Sequence, residues 1–166
     1  MVANINIRDA MIDWLIGNNT RYHLTLTLTR FTPEPVCASQ LNKLIKHLNR
    51  AIYKRRFKDG LSFIKGFVVQ ERSTAMHTHH FHILISDDEW LPKRERFEHL
   101  IDKHVSYLKR NSGGYCIAHY LLQDYYNDGS NKLEHYLTKQ FEFLGNRSSN
   151  RVGWLSATTT HFGDML

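Results

Sequence analysis

Residues 22 to 31 read Tyr-His-Leu-Thr-Leu-Thr-Leu-Thr-Arg-Phe, and leucine alternates with threonine through the middle of this stretch. A period of two predicts a β-strand with one buried face and one polar face, because successive side chains point to opposite faces. Two further stretches, 61 to 71 and 79 to 86, are rich in β-branched and aromatic residues. They predict two neighbouring antiparallel strands joined by a short turn.

Residues 39 to 58 have the pattern of an amphipathic helix. Its apolar side chains recur on one face, at Leu41, Leu44, Ile45, Leu48 and Ile52. Its basic side chains fall on nearly the opposite face, at Lys43, Lys46, Arg50 and Lys54. A basic face that only meets solvent is the simpler interpretation, but we expect these four residues and Arg30 to contact nucleic-acid phosphates.

Two more helices are predicted in the second half of the chain. One starts at about Pro92, has an apolar stripe that includes Phe97 and Ile101, and stops at Gly113 and Gly114. The other starts at a Ser130 or Asn131 cap and stops at Gly145. The stretch from 115 to 122 is ambiguous. This order of elements predicts an α+β fold, in which a central antiparallel sheet is covered by helices mainly on one face.

The composition fits one domain spanning residues 1–166, with an amphipathic helix at 1–19 and a tail at 146–166 to which we assign no role. The chain has 22 Lys+Arg against 16 Asp+Glu, a net charge of +6, which favours a polyanionic partner. Two cysteines exclude a disulfide scaffold, and no apolar run is long enough to predict a membrane span. We therefore expect a cytoplasmic protein that does not bind a membrane.

A cluster of histidines is the strongest chemical signal. Positions 77 to 82 read His-Thr-His-His-Phe-His. On a strand, His80 and His82 share one face, while Phe81 points to the core on the other. Glu71 ends the preceding strand and is the candidate third ligand of a divalent metal site, Mg²⁺ or Mn²⁺. We expect His77 and His79 to be exposed loop residues.

These residues form a set that resembles the HUH endonucleases, specifically the single-tyrosine nickases of rolling-circle replication. The stretch His80-Phe81-His82 resembles their histidine–hydrophobic–histidine signature, and Leu24-Thr25-Leu26-Thr27-Leu28-Thr29 resembles their first motif. Glu71 stands where many replication initiators have an acidic metal ligand. Tyr136-Leu137-Thr138-Lys139 matches the tyrosine-x-x-lysine motif. The similarity spans roughly residues 22 to 140.

The resemblance implies a sheet of about five strands and a metal-dependent, sequence-specific nickase that initiates rolling-circle replication. Tyr136 would attack a DNA phosphate and form a 5′-phosphotyrosine with a free 3′-hydroxyl, which can later be rejoined. Lys139, one helical turn away, would assist. The substrate would be single-stranded DNA or a hairpin origin. The sequence contains no Gly-x-x-x-x-Gly-Lys-Ser/Thr loop, so a separate host helicase would open duplex DNA.

Three alternatives stay open on the sequence alone. Gln140, four residues after Tyr136, also fits a single-tyrosine transposase of the same superfamily. A non-catalytic module that binds single strands would explain the charge and the aromatic residues. A two-histidine phosphoesterase needs His-x-Thr/Ser motifs on facing strands. His23-Leu24-Thr25 and His104-Val105-Ser106 fit those letters, but the second falls on a predicted helix.

Overall fold

A computed structural model describes residues 13, 16, 17, 19–73, 75–126, 129, 132–133, 151–155 and 160–163. The strands are β1 (Thr20–Leu28), β2 (Gly66–Ser73), β3 (Thr78–Ser86), β4 (Ile117–Asp124), β5 (Arg151–Leu155) and β6 (Thr160–Gly163). The helices of the described residues are α1 (Glu34–Tyr53), α2 (Arg55–Lys58) and α3 (Arg94–Arg110). The predicted α+β class is confirmed.

All the strands belong to one antiparallel sheet, in the order β4-β1-β3-β2-β5-β6. The Leu-Thr repeat forms β1, next to the histidine strand β3. Their register pairs Leu24 with Ile83, Thr25 with His82, Leu26 with Phe81 and Thr27 with His80. Paired residues share a face of the sheet, so this register divides an apolar face from a polar one.

The apolar face packs against α1 and α3. Leu24, Leu26 and Phe81 are fully buried there. Four of the five apolar residues predicted for α1 are buried, Ile52 is half-buried, and Cys37 and Tyr53 join them as buried residues that were not predicted. Helix α3 contributes Phe97, Ile101, Val105 and Leu108. The helical layer covers one face of β1 and β3. The other face carries the threonine and histidine side chains and, next to them on β2 and β3, the buried apolar residues Phe67, Val69 and Leu84.

The boundaries of the elements differ from the prediction in two places. Helix α1 begins at Glu34 rather than at residue 39 and ends at Tyr53. Its first turn includes Pro35 and follows Pro33, and proline is tolerated there because the first turn does not use its N–H groups. The helix stops where Lys54 takes a φ of 51°, a left-handed conformation, and the separate helix α2 follows. Strand β2 begins at Gly66, later than the predicted residue 61.

The C-terminal half contains strands that the sequence did not identify. The ambiguous stretch becomes β4, which pairs with β1, and β5 and β6 lie within residues 146–166. Within the described residues the sheet therefore has six strands, one more than the five or so implied by the resemblance. The predicted N-terminal helix and the predicted helix after residue 130 lie almost entirely outside the described residues. The described residues within these two segments that are helical are 13, 16, 17, 132 and 133. Within the described part of the chain, no helix has the length and apolar character needed to cross a membrane.

Gly66 allows β2 to approach β3 closely. A Cβ atom built on Gly66 overlaps the backbone carbonyl of Leu84 on the neighbouring strand. Backbone atoms of a central strand cannot move aside as the end of a flexible side chain can. The absence of a side chain at Gly66 is therefore a packing requirement of the strand that bears Glu71.

We predict that Gly66→Ala destabilises the fold by about 1–3 kcal/mol, as overpacking does elsewhere in protein cores. The free energy of unfolding, measured with urea, checks this. Gly60→Ala is the comparison, since nothing lies near its Cβ position and any cost there comes only from its positive φ. A Gly66→Ala protein as stable as the wild type would contradict the packing requirement.

Two histidines meet between α1 and α3. The rings of His47 and His104 have centroids 5.2 Å apart, and the Tyr107 ring lies 5.4 Å from His47. Burial lowers the pKa of both, with further lowering from Arg50 and Lys46 at His47 and from His47 and Lys103 at His104. Nε2 of His104 is buried without a hydrogen-bond partner in the described residues. The folded protein therefore holds this pair in the neutral form.

We predict that this pair makes the fold less stable in acid. Below about pH 6.5 the unfolded chain binds protons that the folded pair resists, so stability falls as the pH drops through that value. His104→Leu should lose less unfolding free energy between pH 7.5 and 5.5 than the wild type does. His99→Leu, exposed on the same helix, should keep the wild-type dependence. Equal pH dependence in all three proteins would show that the pair does not act in this way.

Candidate metal centre and nucleic-acid interface

The polar face of the sheet brings the predicted ligands together. Glu71 of β2 pairs directly with His80 of β3, which pairs with Thr27 of β1, and Thr27 pairs with His119 of β4. These four side chains form a row across four strands, because directly paired residues share a face. His82 lies on the same face, two residues along β3. The sequence did not single out His119, whose strand was not predicted.

The closest contact among the predicted ligands joins Glu71 and His82. Oε2 of Glu71 lies 3.3 Å from Nε2 of His82, and the two side chains are only 19% and 11% exposed. In contrast, both ring nitrogens of His80 contact threonine hydroxyls, Nδ1 to Thr27 at 3.1 Å and Nε2 to Thr78 at 3.1 Å. The structure thus brings Glu71 and His82 into contact. His80 lies beside them, but its ring nitrogens contact Thr27 and Thr78 rather than Glu71.

Threonines fix the orientation of the histidine rings, a role that was not predicted from the sequence. Thr25 Oγ1 lies 3.4 Å from Nδ1 of His82, as Thr27 does at 3.1 Å from Nδ1 of His80. A histidine that binds a metal through Nε2 has its proton on Nδ1, and a hydrogen-bond acceptor there selects that tautomer. The Leu-Thr repeat contains the signal, but only the register between β1 and β3 shows which histidine each threonine meets.

His23 lies beside His82 on the same face of the sheet. It is 8% exposed, its ring stacks on His82 with centroids 5.6 Å apart, and its Nε2 lies 3.4 Å from Nδ1 of His82. Burial, and then the charge of His82, lower the pKa of His23 to about 4. His23 is therefore neutral at pH 7 and is able to accept a hydrogen bond from His82.

The donor set suits a divalent ion. Two ligand atoms held about 2.1 Å from one ion, at an angle of about 90° to 110°, lie about 3.0–3.4 Å apart, and the Glu71–His82 separation falls in this range. Oxygen with imidazole nitrogen is a ligand combination used for Mg²⁺, Mn²⁺ and related ions. Among the described residues, no three histidine, cysteine or acidic side chains already stand in a metal-holding arrangement. His80 would have to release Thr78 to act as the third ligand.

The two other histidines of the cluster differ from each other. His77 is exposed, as predicted. His79 is not an exposed loop residue: it is 7% exposed and its Nδ1 lies 3.2 Å from Nε2 of Gln70. The prediction was wrong because β3 begins at Thr78, one residue before the predicted start, so His79 points to the core side with Phe81. Gln70 points to the same side, opposite to Glu71.

The predicted DNA-contacting residues are exposed but do not border the histidines. Lys43, Lys46 and Arg50 project from the outer surface of α1, which packs on the apolar face of the sheet. Lys54 lines a cavity of about 400 Å³ with Arg55, Arg56, Arg96 and Trp90, and the Arg56 guanidinium lies 4.8 Å from the Trp90 ring. Arg30 is exposed in the turn after β1. One strand of nucleic acid would pass around the edge of the sheet to touch both α1 and the histidines.

The predicted nucleophile, Tyr136, lies outside the described residues, as do Lys139 and Gln140. The second phosphoesterase motif, His104-Val105-Ser106, lies inside α3, on the apolar side of the sheet. It therefore does not face His23-Leu24-Thr25 as that reaction requires. The phosphoesterase alternative is not supported by this arrangement.

The chain has no significant match among protein-family models, curated proteins or solved structures. Relatives therefore supply no function for it. Any functional assignment has to come from the chemistry of the polar face.

We predict that Mn²⁺ stabilises the protein through Glu71 and His82. At a metal concentration of about 100 times the dissociation constant, binding to the folded state adds about 2.7 kcal/mol. Thermal unfolding with increasing Mn²⁺ measures this as a rise in Tm. Glu71→Gln and His82→Ala should lose most of the rise, and His99→Ala, an exposed histidine on α3, should retain it. A rise that persists in Glu71→Gln and His82→Ala would place the metal elsewhere.

Proposed function

We propose that this protein is a metal-dependent nickase of single-stranded DNA that acts through a covalent phosphotyrosine, as in the initiation of rolling-circle replication. The observation that supports the proposal best is the Glu71–His82 contact beside His80, on the polar face of paired central strands. This is the ligand set that the resemblance to HUH endonucleases predicts. The antiparallel sheet and the net charge of +6 agree with it.

In this proposal Glu71, His80 and His82 hold a divalent ion. When bound, the ion supplies Lewis-acid polarisation of a phosphate oxygen and orients the phosphate. Thr25 and Thr27 lie at Nδ1 of His82 and His80, the position of the proton in a histidine that binds metal through Nε2. Nε2 of His82 already contacts Glu71, and Nε2 of His80 would have to leave Thr78 to bind the ion. Neutral His23 excludes water from one side of His82 without adding a positive charge that would compete with the ion.

Tyr136 is the proposed nucleophile. Its phenol loses a proton, its oxygen forms a bond to phosphorus, and the bond from phosphorus to the 3′-oxygen breaks. The 3′-oxygen takes up a proton and becomes the free hydroxyl, while the 5′-phosphate remains on the protein. Lys139 offsets negative charge that develops during this transfer. Because one ester replaces another, the reverse reaction rejoins the strand.

The experiment mixes the protein with a random single-stranded DNA pool and Mn²⁺ and detects a protein–DNA adduct on a denaturing gel. We predict an adduct that is abolished by EDTA and by Tyr136→Phe, since phenylalanine has no nucleophilic oxygen. Tyr126→Phe is the matched control, because Tyr126 is 82% exposed and outside the proposed site. Glu71→Gln should reduce the adduct and leave DNA binding intact.

Other outcomes separate the alternatives. An adduct that persists in Tyr136→Phe would move the nucleophile to another tyrosine. DNA binding without any adduct, with hairpin substrates also tested, would favour a non-catalytic single-strand-binding module. Joining of the bound strand to a second DNA end at a defined element boundary would favour the transposase.

A further inference from the structure

An aromatic pair stands at the end of the sheet nearest to the candidate metal ligands. The rings of Phe31 and His77 are stacked, with centroids 5.0 Å apart and planes 22° apart. Phe31 follows β1 in a tight turn, and His77 lies in the turn that joins β2 to β3. The pair therefore connects the ends of the two strands that hold the histidine and threonine side chains.

The backbone holds this pair in an uncommon conformation. Phe31 has a φ of 59° and His77 a φ of 52°, in the left-handed region that large side chains seldom adopt. The N–H of Phe31 donates to the carbonyl oxygen of His77 at 2.9 Å, and the side chains of Thr29 and Thr32 close the turn at 2.9 Å from each other. Strain of this kind persists where the surrounding structure over-determines it, and it occurs often at binding sites.

The strained pair does not serve the core. A phenylalanine in a turn would ordinarily be buried against the hydrophobic core, but Phe31 is 67% exposed. The neighbouring Met76 is 54% exposed. A rigid, exposed aromatic ring is the kind of surface on which an unpaired nucleobase stacks.

The surroundings supply charge for the rest of a nucleotide. Arg30 is exposed next to Phe31, and Arg72 lines a cavity of about 250 Å³ with Phe31, His77 and Glu34. An arginine side chain can bind a backbone phosphate. The carboxylate of Glu34 would repel a free anion, but it can accept hydrogen bonds from the amino groups of a base edge. The mixture of charges beside an aromatic ring thus fits a nucleotide within a strand.

The distance to the histidines is short. His77 precedes His80 by three residues, so even a fully extended chain would place their Cα atoms no more than about 11 Å apart. Arg72 pairs with His79 and, like it, lies on the helical side of the sheet. A single strand held by Phe31 and Arg72 would therefore pass around the ends of β1 and β3 to reach the polar face, and the basic surface of α1 lies on the same side as Arg72.

We propose that the Phe31–His77 pair is a base-stacking platform that holds one unpaired nucleotide of a single-stranded nucleic acid at the ends of β1 and β3, with Arg72 and Arg30 on its phosphates. This inference rests on the proposed function for the identity of the substrate. It adds the element that binds the nucleic acid where it passes around the strand ends toward the metal ligands.

Fluorescence anisotropy of a labelled random-sequence 20-mer DNA, in EDTA so that no chemistry occurs, tests the platform in the full-length protein. Phe31→Gly removes the ring and keeps a residue that accepts the positive φ, so the fold should remain intact. We expect binding about 5- to 150-fold weaker, the loss typical of one base–aromatic stack. Phe31→Trp should restore affinity, and Phe31→Leu should not, since it keeps apolar surface without a π face.

Salt dependence separates stacking from charge. In Phe31→Gly the slope of log K against log[salt] should match the wild type. In Arg72→Ala the slope should fall by about 0.7, the value for one phosphate contact to a single strand. Trp90→Ala is the matched control, because Trp90 is another exposed aromatic ring beside an arginine but lies in the cavity next to α2.

Each outcome decides the proposal. Wild-type affinity in Phe31→Gly, or a loss confined to Trp90→Ala, would overturn the platform. An adduct that forms at wild-type yield in a Phe31→Gly protein of unchanged DNA affinity would overturn the platform and keep the nickase. Binding that depends on Phe31 without any adduct would keep the platform and reject the nickase. A wild-type protein that does not bind single-stranded DNA would reject both.

Discussion

The pairing of β1 with β3 is the constraint on which the rest of the structure depends. In this register Leu24 and Leu26 lie beside Ile83 and Phe81 on the helical side, which puts Thr25 and Thr27 beside His82 and His80 on the other. A shift of one residue would turn every side chain of a strand to the opposite face. The burial of the leucines under α1 and α3 therefore also fixes where the imidazoles point.

The same constraint gives the two faces of the sheet different chemistry. One face is filled by aliphatic and aromatic side chains and carries the helices, whose outer surface is basic. The other carries histidines that are supported by hydroxyl groups and, at His82, also by the carboxylate of Glu71. A hydroxyl can accept a hydrogen bond from Nδ1 and adds no net charge, so among the proposed ligands Glu71, His80 and His82 only the carboxylate of Glu71 would bring a charge to the ion.

Much of this was predictable from the sequence, because periodicity reports which face a side chain occupies. The alternation in β1 and the shared face of His80 and His82 were both predicted, and the structure agrees. The start of α1 was not predicted, because two prolines close together, Pro33 and Pro35, are also typical of a loop. In the structure the helix begins between them, at Glu34. The burial of His79 could not be predicted because it depends on where β3 begins, which is one residue earlier than the sequence indicated. Strands β5 and β6 and the contacts of the threonines depend on partners distant in the chain, which local patterns do not report.

The contacts at the polar face also differ in how far apart along the chain their partners lie. Glu71 and His82 belong to one hairpin and are 11 residues apart, whereas the threonines that orient the rings are 53 and 57 residues from their histidines. Closing a long loop costs more entropy than closing a short one. The Glu71–His82 contact therefore needs only the closure of the β2–β3 hairpin, whereas the threonine contacts that orient the histidine rings also need the longer loop that brings β1 beside β3.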